Sequence, residues 1–310
     1  MACLLGVQQS FAKAQRALDE VAGWQLDDNT IRQLCHATAT QAADRRDERA
    51  TAAAFAQAVG DLELQIDAGK VNTGEGWRDV KVGVFARRQR GVPTTAAQWN
   101  ERDLPAPAVR AVLAAVEEAS GFGTRCAKEA ERLGLTDAAS MSVLGDGAEW
   151  VWNLADRHFA DAEQLLDIWH GAEHLADGAK AACGQGSEAA KATAKAQAQR
   201  GKERLLADGY WGVIQWVGEL TTLAALGGDG AALGGVLNYF ADHQERLNYA
   251  VRLRRGQSIG SGLVEGSIKQ LLNKRLKQTG ARWKTAHVGP FVELGALAAG
   301  PEWSTVWERN

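Results

Sequence analysis

Three acidic residues stand where a folded chain could bring them together to hold divalent cations. Asp67 closes the alternating stretch DLELQID, Asp146 lies in the tight turn GDG after MSVL, and Glu265 opens a helical stretch. Asp67 and Asp146 thus each follow a predicted strand, from which a side chain can project into a cleft. Carboxylate oxygens suit hard cations such as Mg²⁺ or Mn²⁺. Two such ions about 4 Å apart would support in-line displacement at phosphorus.

Each of the three carboxylates also has a purely structural interpretation. An aspartate at the end of a strand is a common turn or capping residue. Glu265 in the first turn of its helix is favoured by the helix dipole without any metal. Both interpretations stay open for each residue taken singly, and it is the combination of all three that favours a metal site.

The chain is strongly basic around Glu265. Residues 250–290 contain nine Lys and Arg and a single acid, Glu265, although the whole chain has a net charge of −3. This asymmetry favours a polyanionic partner, and a solvated basic helix face is the alternative. Helical spacing places Lys274 and Lys277 opposite an apolar stripe and turns Arg275 toward it, where it could pair with an acid of the core. The predicted phosphate contacts are Lys269, Lys274, Arg275, Lys277, Arg282 and Lys284.

The elements that must position these side chains alternate between strand and helix. DLELQID and WRDVKVGVFARR have strand patterns and are expected to form an antiparallel pair. MSVLG and AEQLLD are further predicted strands, each followed by a helix, and another helix is expected over residues 105–120. Strands interleaved with helices favour an α/β core with a mixed sheet.

The segments on either side of this core are helical in pattern. Residues 1–60 are predicted as helices, with a possible partial helix-turn-helix whose second helix is capped by Asp28. Residues 185–250 have no strand pattern and are predicted to be an all-helical insertion. The resulting division is 1–60, 61–184, 185–250 and 251–310, in which 61–184 and 251–310 are two parts of one core.

The composition excludes several classes of protein. The chain is 45% hydrophobic and 24% charged, as in globular proteins. No apolar run approaches the roughly 18 residues that span a bilayer, and the start of the chain lacks a basic region and cleavage site, so no membrane partner and a cytoplasmic location are expected. The four cysteines are scattered and are expected to be reduced: Cys3, Cys35, Cys126 and Cys183.

Other candidate sites have competing interpretations. Asp167, His170 and His174 stand at helical spacing with Cys183 downstream, which allows a zinc site or a helix that orients loops or contacts DNA. No G-x-x-x-x-G-K and no G-x-S-x-G motif occurs, so nucleotide hydrolysis and serine esterase chemistry lack support. Three tryptophans could pack in the core or stack on a base: Trp150, Trp152 and Trp169.

Four strings resemble, in order and spacing, the motifs of one enzyme family. They are QIDAGKVNTGEGWRDVKVGVF, VLGDGAEWVWNLADRHF, LLDIWHGAEH and GQSIGSGLVEGSIKQLLNKRLKQTGARW. The chain from residue 60 onward is similar to DDE transposases of the ISKra-type bacterial insertion sequences, relatives of the mutator-like group. By this resemblance, Asp67, Asp146 and Glu265 match the catalytic triad. Asp167 and His170 match the family's C/D-x-x-H signature.

The resemblance implies a fold and an activity. It implies an RNase H-like catalytic domain interrupted by the helical insertion, with two Mg²⁺ or Mn²⁺ ions, that cleaves DNA at element ends and transfers the strand to target DNA. A homo-oligomer is the expected active form. Ala68 departs from the commoner Gly, and the N-terminal region is shorter than usual, so a partial module for recognising element ends is expected. The alternative is a catalytically silent transposase remnant that binds DNA.

Overall fold

The chain is an α/β protein built around one five-stranded mixed sheet. The structure, a computed structural model, describes residues 1–45, 50–135, 137, 141–184, 186–224, 229–299, 303 and 307. The strands are β1 (Asp61–Thr73), β2 (Gly76–Arg88), β3 (Val109–Ala115), β4 (Met141–Gly145) and β5 (Glu163–Leu166). Their order is β3-β2-β1-β4-β5, with β2 antiparallel to both of its neighbours and with β4 and β5 parallel to β1.

The first strand is longer than its sequence pattern predicts. β1 was expected to end at Asp67, but it continues to Thr73 and pairs with β2 along its whole length. The pairing with β4 ends earlier, at Ile66 opposite Gly145. Asp67 therefore lies in the middle of β1, at the point where the sheet narrows to the β1–β2 hairpin.

The predicted helix over residues 105–120 is wrong, because the segment contains β3. Ala111, Leu113 and Ala115 alternate along β3 and are buried. The alanines give this stretch a high helix propensity, yet pairing with β2 and packing of the alternate residues override it. The helix begins only after the strand, at Ala119.

The predicted helical character of residues 1–60 is confirmed for the described residues. The helices are α1 (Ala2–Gln8), α2 (Phe11–Ala22), α3 (Asp28–Asp44) and α4 (Thr51–Gln57). Asp27, rather than Asp28, caps α3, since its Oδ1 accepts a hydrogen bond from the Thr30 amide at 2.9 Å.

The middle of the chain contains six more helices among the described residues. They are α5 (Ala119–Arg132), α6 (Glu149–His158), α7 (Ile168–Cys183), α8 (Glu188–Ala224), α9 (Gly230–Asp242) and α10 (Tyr249–Arg254). The predicted helical segment 185–250 thus corresponds to α8, α9 and the start of α10. The long α8 changes direction at Gly209, whose φ of +56° and ψ of −132° are not helical.

The basic segment near the C-terminus is helical at both of its ends. α11 (Gly262–Ser267) continues directly into a π-helical segment (Ile268–Asn273), and α12 (Thr285–Ala298) follows after a loop. The apolar stripe predicted for this segment is buried at Val264, Ile268, Leu272 and Leu276. Short π-helical stretches often occur at functional sites.

The two faces of the sheet are covered by two hydrophobic clusters. Neighbouring residues of one strand point to opposite faces, and Phe85 accordingly belongs to one cluster and Val84 to the other. The first cluster joins the sheet to α5, α6, α7, α8, α9 and α10. The second joins it to α1, α2, α3, α11 and α12, so residues 1–45 and 262–298 form one layer.

Two further properties concern the whole described chain. All four cysteines are free, and Cys3, Cys35 and Cys126 are buried. None of the described helices is long and apolar enough to cross a membrane.

Candidate metal site and basic surface

Asp67 and Asp146 lie side by side where β1 and β4 separate. Ile66 and Gly145 form the last pair between these parallel strands, so Asp67 and Asp146 are the residues that directly follow this pair along the chain. Asp146 enters a turn in which its Oδ1 accepts a hydrogen bond from the Ala148 amide at 3.0 Å. Gly147 in this turn has a φ of +96°, which favours glycine. Both aspartates are half-buried.

The pKa of Asp67 responds to the charges of the other two candidate carboxylates. Burial is the main cause that raises the pKa of Asp67 to about 6, and the hydrogen bond from the Ala68 amide opposes it. The negative charges of Asp146 and Glu265 raise this pKa further. Mutually repelling carboxylates at the edge of a core are stabilised by a bound divalent cation, because its charge offsets theirs.

Gln65 holds the start of α11 against β1. Its Oε1 accepts hydrogen bonds from the amides of Leu263 at 2.9 Å and Val264 at 3.3 Å, in the first turn of the helix. The Gln65 side chain is buried and faces the same side of the sheet as Asp67, two residues further on. Its Nε2 donates to Glu63 Oε2 at 2.9 Å, so the amide group is fixed in one orientation. Gln65 therefore positions α11, and with it Glu265, over the face that carries Asp67.

Asp167 connects α7 to α11. This carboxylate is fully buried, and its Oδ1 accepts hydrogen bonds from the amides of Trp169 at 2.5 Å and His170 at 3.1 Å. Its Oδ2 accepts hydrogen bonds from the Ser261 amide and from Ser261 Oγ, the latter at 2.7 Å. Asp167 is therefore a helix cap that also fixes the residue preceding α11.

Ser261 extends this connection to Glu265. Ser261 Oγ lies 3.2 Å from Glu265 Oε1 in addition to its shorter contact with Asp167. A serine hydroxyl has one proton, so the two carboxylates share it as acceptors. Partial loss of hydration raises the pKa of Glu265, and the charge of Asp167 raises it further. Glu265 nevertheless lies on the exposed side of α11, next to buried Val264.

Two glycines allow these elements to approach closely. A Cβ at Gly69 would lie 2.7 Å from Leu272 Cδ2, so a larger residue there would displace this side chain of the π-helical segment from β1. A Cβ at Gly260 would lie 3.3 Å from Asp167 Oδ2. Gly260 of the IGSG stretch therefore allows the backbone to approach the buried Asp167.

His170 is the other residue of the D-x-x-H signature, and it lies on the side of the carboxylates. Its charge lowers the pKa of both Asp67 and Glu265. Its side chain is partly exposed, and Nδ1 lies 3.8 Å from Glu173 Oε2. The two signature residues thus differ: Asp167 is fully buried and caps α7, whereas His170 is partly exposed.

The carboxylates suit a cation in chemistry but do not form a complete ligand shell. Among the residues that the structure describes, no group of three or more His, Cys, Asp or Glu side chains is close enough to hold a metal ion. This also applies to the proposed zinc set, where Asp167 is hydrogen-bonded within the protein and His174 stacks on Tyr239 at 3.6 Å between ring centroids. By their chemistry alone, carboxylate oxygens suit Mg²⁺ or Mn²⁺ better than zinc.

Five of the six predicted phosphate contacts are exposed. Lys269, Lys274, Lys277 and Lys284 present their side chains to solvent. Arg282 is also exposed, but its Nε and Nη2 donate to the carbonyls of Thr73 at 3.2 Å and Gly74 at 3.1 Å. Arg282 therefore also holds the turn of the β1–β2 hairpin.

The prediction that Arg275 contacts phosphate is wrong, because its side chain is buried and only 4% of the residue is exposed. Its guanidinium lies 4.6 Å from the ring centroid of Phe11 and 5.0 Å from those of Trp283 and Phe291. Its Nε donates to the Gly6 carbonyl at 2.8 Å. The predicted orientation toward the apolar stripe is confirmed, with aromatic rings in place of an acid. Burial lowers the pKa of Arg275 to about 10.

The three tryptophans named from the sequence have different environments. Trp152 is buried in the first cluster, and Trp150 is partly buried beside it. Trp169 is 46% exposed. Core packing therefore accounts for the first two and leaves Trp169 with a free surface.

Sequence reasoning missed Gln65 and Ser261. Gln65 could have been found from the β1 alternation, since it precedes Asp67 by one period on the same face. Ser261 lies within the IGSG stretch, but no local pattern indicates that its hydroxyl meets a residue almost a hundred positions earlier.

Comparison of the chain with protein-family models and with curated proteins finds no match.

Proposed function

We propose that the chain is a DDE-type transposase that cleaves DNA and joins the cut strand to target DNA, with Asp67, Asp146 and Glu265 as its catalytic carboxylates. The observation that carries this proposal is the placement of Glu265 over the edge of the sheet where Asp67 and Asp146 lie side by side. The charges of Asp146 and Glu265 both act on Asp67. Carboxylates grouped in this way are the ligands used for metal-assisted phosphoryl transfer.

The sheet topology supports an RNase H-like core for this enzyme. The five-stranded mixed sheet, in which only β2 runs opposite to the other strands, is compatible with such an α/β core. The long helical segment between α7 and α10 fits the expected insertion. Asp67 lies on β1, the middle strand of this sheet, and Asp146 directly follows the neighbouring β4.

The roles of the residues follow from their positions. Asp67 and Asp146 would hold the divalent ions, and Glu265 would add a further oxygen from α11. When bound, such ions lower the pKa of an attacking hydroxyl and stabilise the leaving oxygen. At pH 7.5 Asp67, with a pKa of about 6, is mostly ionised and available as a ligand. Gln65, Ser261 and Asp167 orient Glu265 through α11.

The lysines beyond Glu265 supply the surface for DNA. Lys269, Lys274 and Lys277 are exposed on the segment that follows Glu265 along the chain. Phosphate contacts of this kind position DNA without reading its sequence. The scissile phosphate would therefore be guided to the carboxylates by neighbouring lysines. A homo-oligomer is proposed as the active form because two element ends must be joined.

A catalytically silent DNA-binding protein is the second candidate. One observation favours it: the described carboxylates do not form a group close enough to hold a metal ion. Such a protein would use the exposed lysines and would have no need for Glu265.

Nicking of supercoiled plasmid separates the two candidates. The enzyme predicts nicking that requires Mg²⁺ or Mn²⁺, stops with EDTA and is lost by at least a hundredfold in Glu265→Gln. The matched control is Glu188→Gln, which removes an exposed acid at the start of α8 and leaves nicking unchanged. DNA binding without nicking by the wild type would favour the silent protein. Nicking that survives Glu265→Gln would contradict the role of Glu265 as a catalytic carboxylate.

A further inference from the structure

Two tryptophans and two cations form a cluster beside the candidate metal site. This cluster, called here the Trp169 cluster, consists of Trp99, Arg102, Trp169 and Lys202. Trp169 lies in the first turn of α7, between Asp167 and His170, and its amide donates to Asp167. Lys202 lies on α8, and the other two residues lie in the connection between β2 and β3. The cluster therefore joins the sheet domain to the helical insertion.

The rings and cations are in direct contact. The ring centroids of Trp99 and Trp169 are 5.4 Å apart with an interplanar angle of 61°. Lys202 Nζ lies 4.4 Å from the Trp99 ring centroid and 5.3 Å from that of Trp169. Arg102 Cζ lies 4.8 Å from the Trp99 ring centroid, and its Nη1 donates to the Trp99 carbonyl at 2.9 Å.

Within the described part of the chain, neither of the two cations, Arg102 and Lys202, takes part in an ion pair with a carboxylate. Burial lowers the pKa of both, and the charge of Arg102 lowers that of Lys202 further, while Glu203 opposes it. Two like charges brought together at a partly dehydrated place attract an anion, and the phosphates of a DNA strand are the anions nearest to the proposed reaction.

The exposed face of Trp169 adds a second requirement to the ligand. Trp99 is buried, whereas Trp169 is 46% exposed and offers an aromatic surface next to the cations. Nucleobases stack on such surfaces in proteins that bind single strands. A base inside a duplex has stacked neighbours on both faces, whereas an unpaired nucleotide presents a free face together with its phosphate.

We infer that Trp169, Lys202 and Arg102 bind one unpaired nucleotide of a DNA strand, with its base on Trp169 and its phosphate against the two cations. The inference rests on the proposed function for the presence of DNA at the neighbouring carboxylates. Since Trp169 is only two residues from Asp167, the bound nucleotide lies close to the strand that is cut. The helical insertion, through Lys202, thereby selects DNA whose end is opened.

The test is fluorescence anisotropy of labelled DNA in EDTA, where no cleavage occurs. Three ligands are compared: a single-stranded oligonucleotide, a duplex with unpaired terminal nucleotides and a fully paired duplex. Trp169→Ala and Lys202→Gln are expected to weaken binding of the first two ligands about tenfold, in line with one lost stacking or phosphate contact, and to leave the paired duplex nearly unchanged. Trp169→Phe keeps a stacking ring and should restore most of the affinity.

The matched control is Trp211→Ala, which removes an exposed tryptophan that lies on α8 and outside the cluster. It should leave all three affinities unchanged. An equal loss of affinity for all three ligands in Trp169→Ala, or no loss for any of them, would overturn the inference. A thermal melt confirms that each variant is folded. Binding is measured here without cleavage, so the two proposals can fail separately. If the wild type nicks plasmid but the variants show no selective loss of binding, only the inference is refuted. If the variants show the selective loss but the wild type does not nick plasmid, only the proposed enzyme is refuted.

Discussion

The two aspartates and the glutamate of the candidate site are positioned in different ways. Asp67 and Asp146 are placed by backbone pairing, because each follows the last matched pair of β1 and β4. Glu265 is placed by side chains, through Gln65 on β1 and through Ser261 and Asp167. A sheet register tolerates changes in single side chains, whereas a helix held by a few buried hydrogen bonds does not. The glutamate half of the site is therefore the more sensitive to mutation.

The largest effect of this difference is expected in catalysis. Removing the Ser261 hydroxyl in Ser261→Ala, or the Gln65 amide in Gln65→Leu, should lower the kcat of nicking by roughly 10- to 100-fold, as for other residues that orient ligands. KM for DNA should change little, because neither residue is one of the exposed lysines that are predicted to contact phosphate. Thr193→Ala removes an exposed hydroxyl on α8 and serves as the control. Unchanged kcat in both variants would show that Glu265 does not depend on these hydrogen bonds.

The second expected effect separates Arg275 from the lysines around it. Arg275→Met removes contacts with three rings and a hydrogen bond to Gly6, and should lower the free energy of unfolding by about 1–3 kcal/mol. The slope of log affinity for DNA against log salt should stay unchanged. Denaturant unfolding and binding at several salt concentrations measure the two quantities.

The exposed lysines should behave in the opposite way. Lys274→Gln combined with Lys277→Gln should reduce the salt slope by about two units, since each phosphate contact contributes roughly 0.9. The free energy of unfolding should change by less than about 0.5 kcal/mol, as for other exposed residues. A salt slope that falls in Arg275→Met, or persists in the lysine double variant, would reverse the assignment of the two surfaces.

The smallest expected effect concerns the pH dependence of stability through Asp67. Its pKa rises from 3.8 in the unfolded chain to about 6 in the fold, so its ionisation opposes folding. The cost is absent below pH 4, grows as the pH rises through this interval and is complete above pH 6. The full shift corresponds to about 3 kcal/mol, and solvent screening of the half-buried carboxylate reduces this value. Asp67→Asn should therefore stabilise the metal-free protein by about 1–2 kcal/mol at pH 7.5 and by almost nothing at pH 4. An equal gain at both pH values would exclude ionisation as the cause.

The sequence was most informative where a periodic pattern is the physical cause of the structure. The alternation in DLELQID and the stripe from Val264 to Leu276 predicted β1 and the buried side of the α11 segment. The strand after Leu104 was missed because its alanines favour a helix, and only its pairing with β2 makes it extended. Pairing with residues that are distant in the sequence therefore determined the conformation of this segment.

The same limit applies to the site. Positions at strand ends and in a helix pointed to Asp67, Asp146 and Glu265 as possible neighbours. Arg275 could be placed only toward the stripe, since the rings of Phe11 and Phe291 that receive it lie in distant parts of the chain. The contact between Ser261 and Asp167 joins two loops across the fold, and no local propensity encodes it.

Binding of Mn²⁺ tests the central claim most directly, because it requires neither DNA nor turnover. Mn²⁺ can be titrated by electron paramagnetic resonance against the wild type, Asp67→Asn, Asp146→Asn and Glu265→Gln, with Glu188→Gln as the control for loss of an exposed acid. We expect the wild type and the control to bind Mn²⁺ alike and each of the three site variants to bind it at least tenfold more weakly, in line with lost oxygen ligands. Mn²⁺ affinity that is the same in Asp146→Asn as in the wild type would contradict a metal site built on these carboxylates.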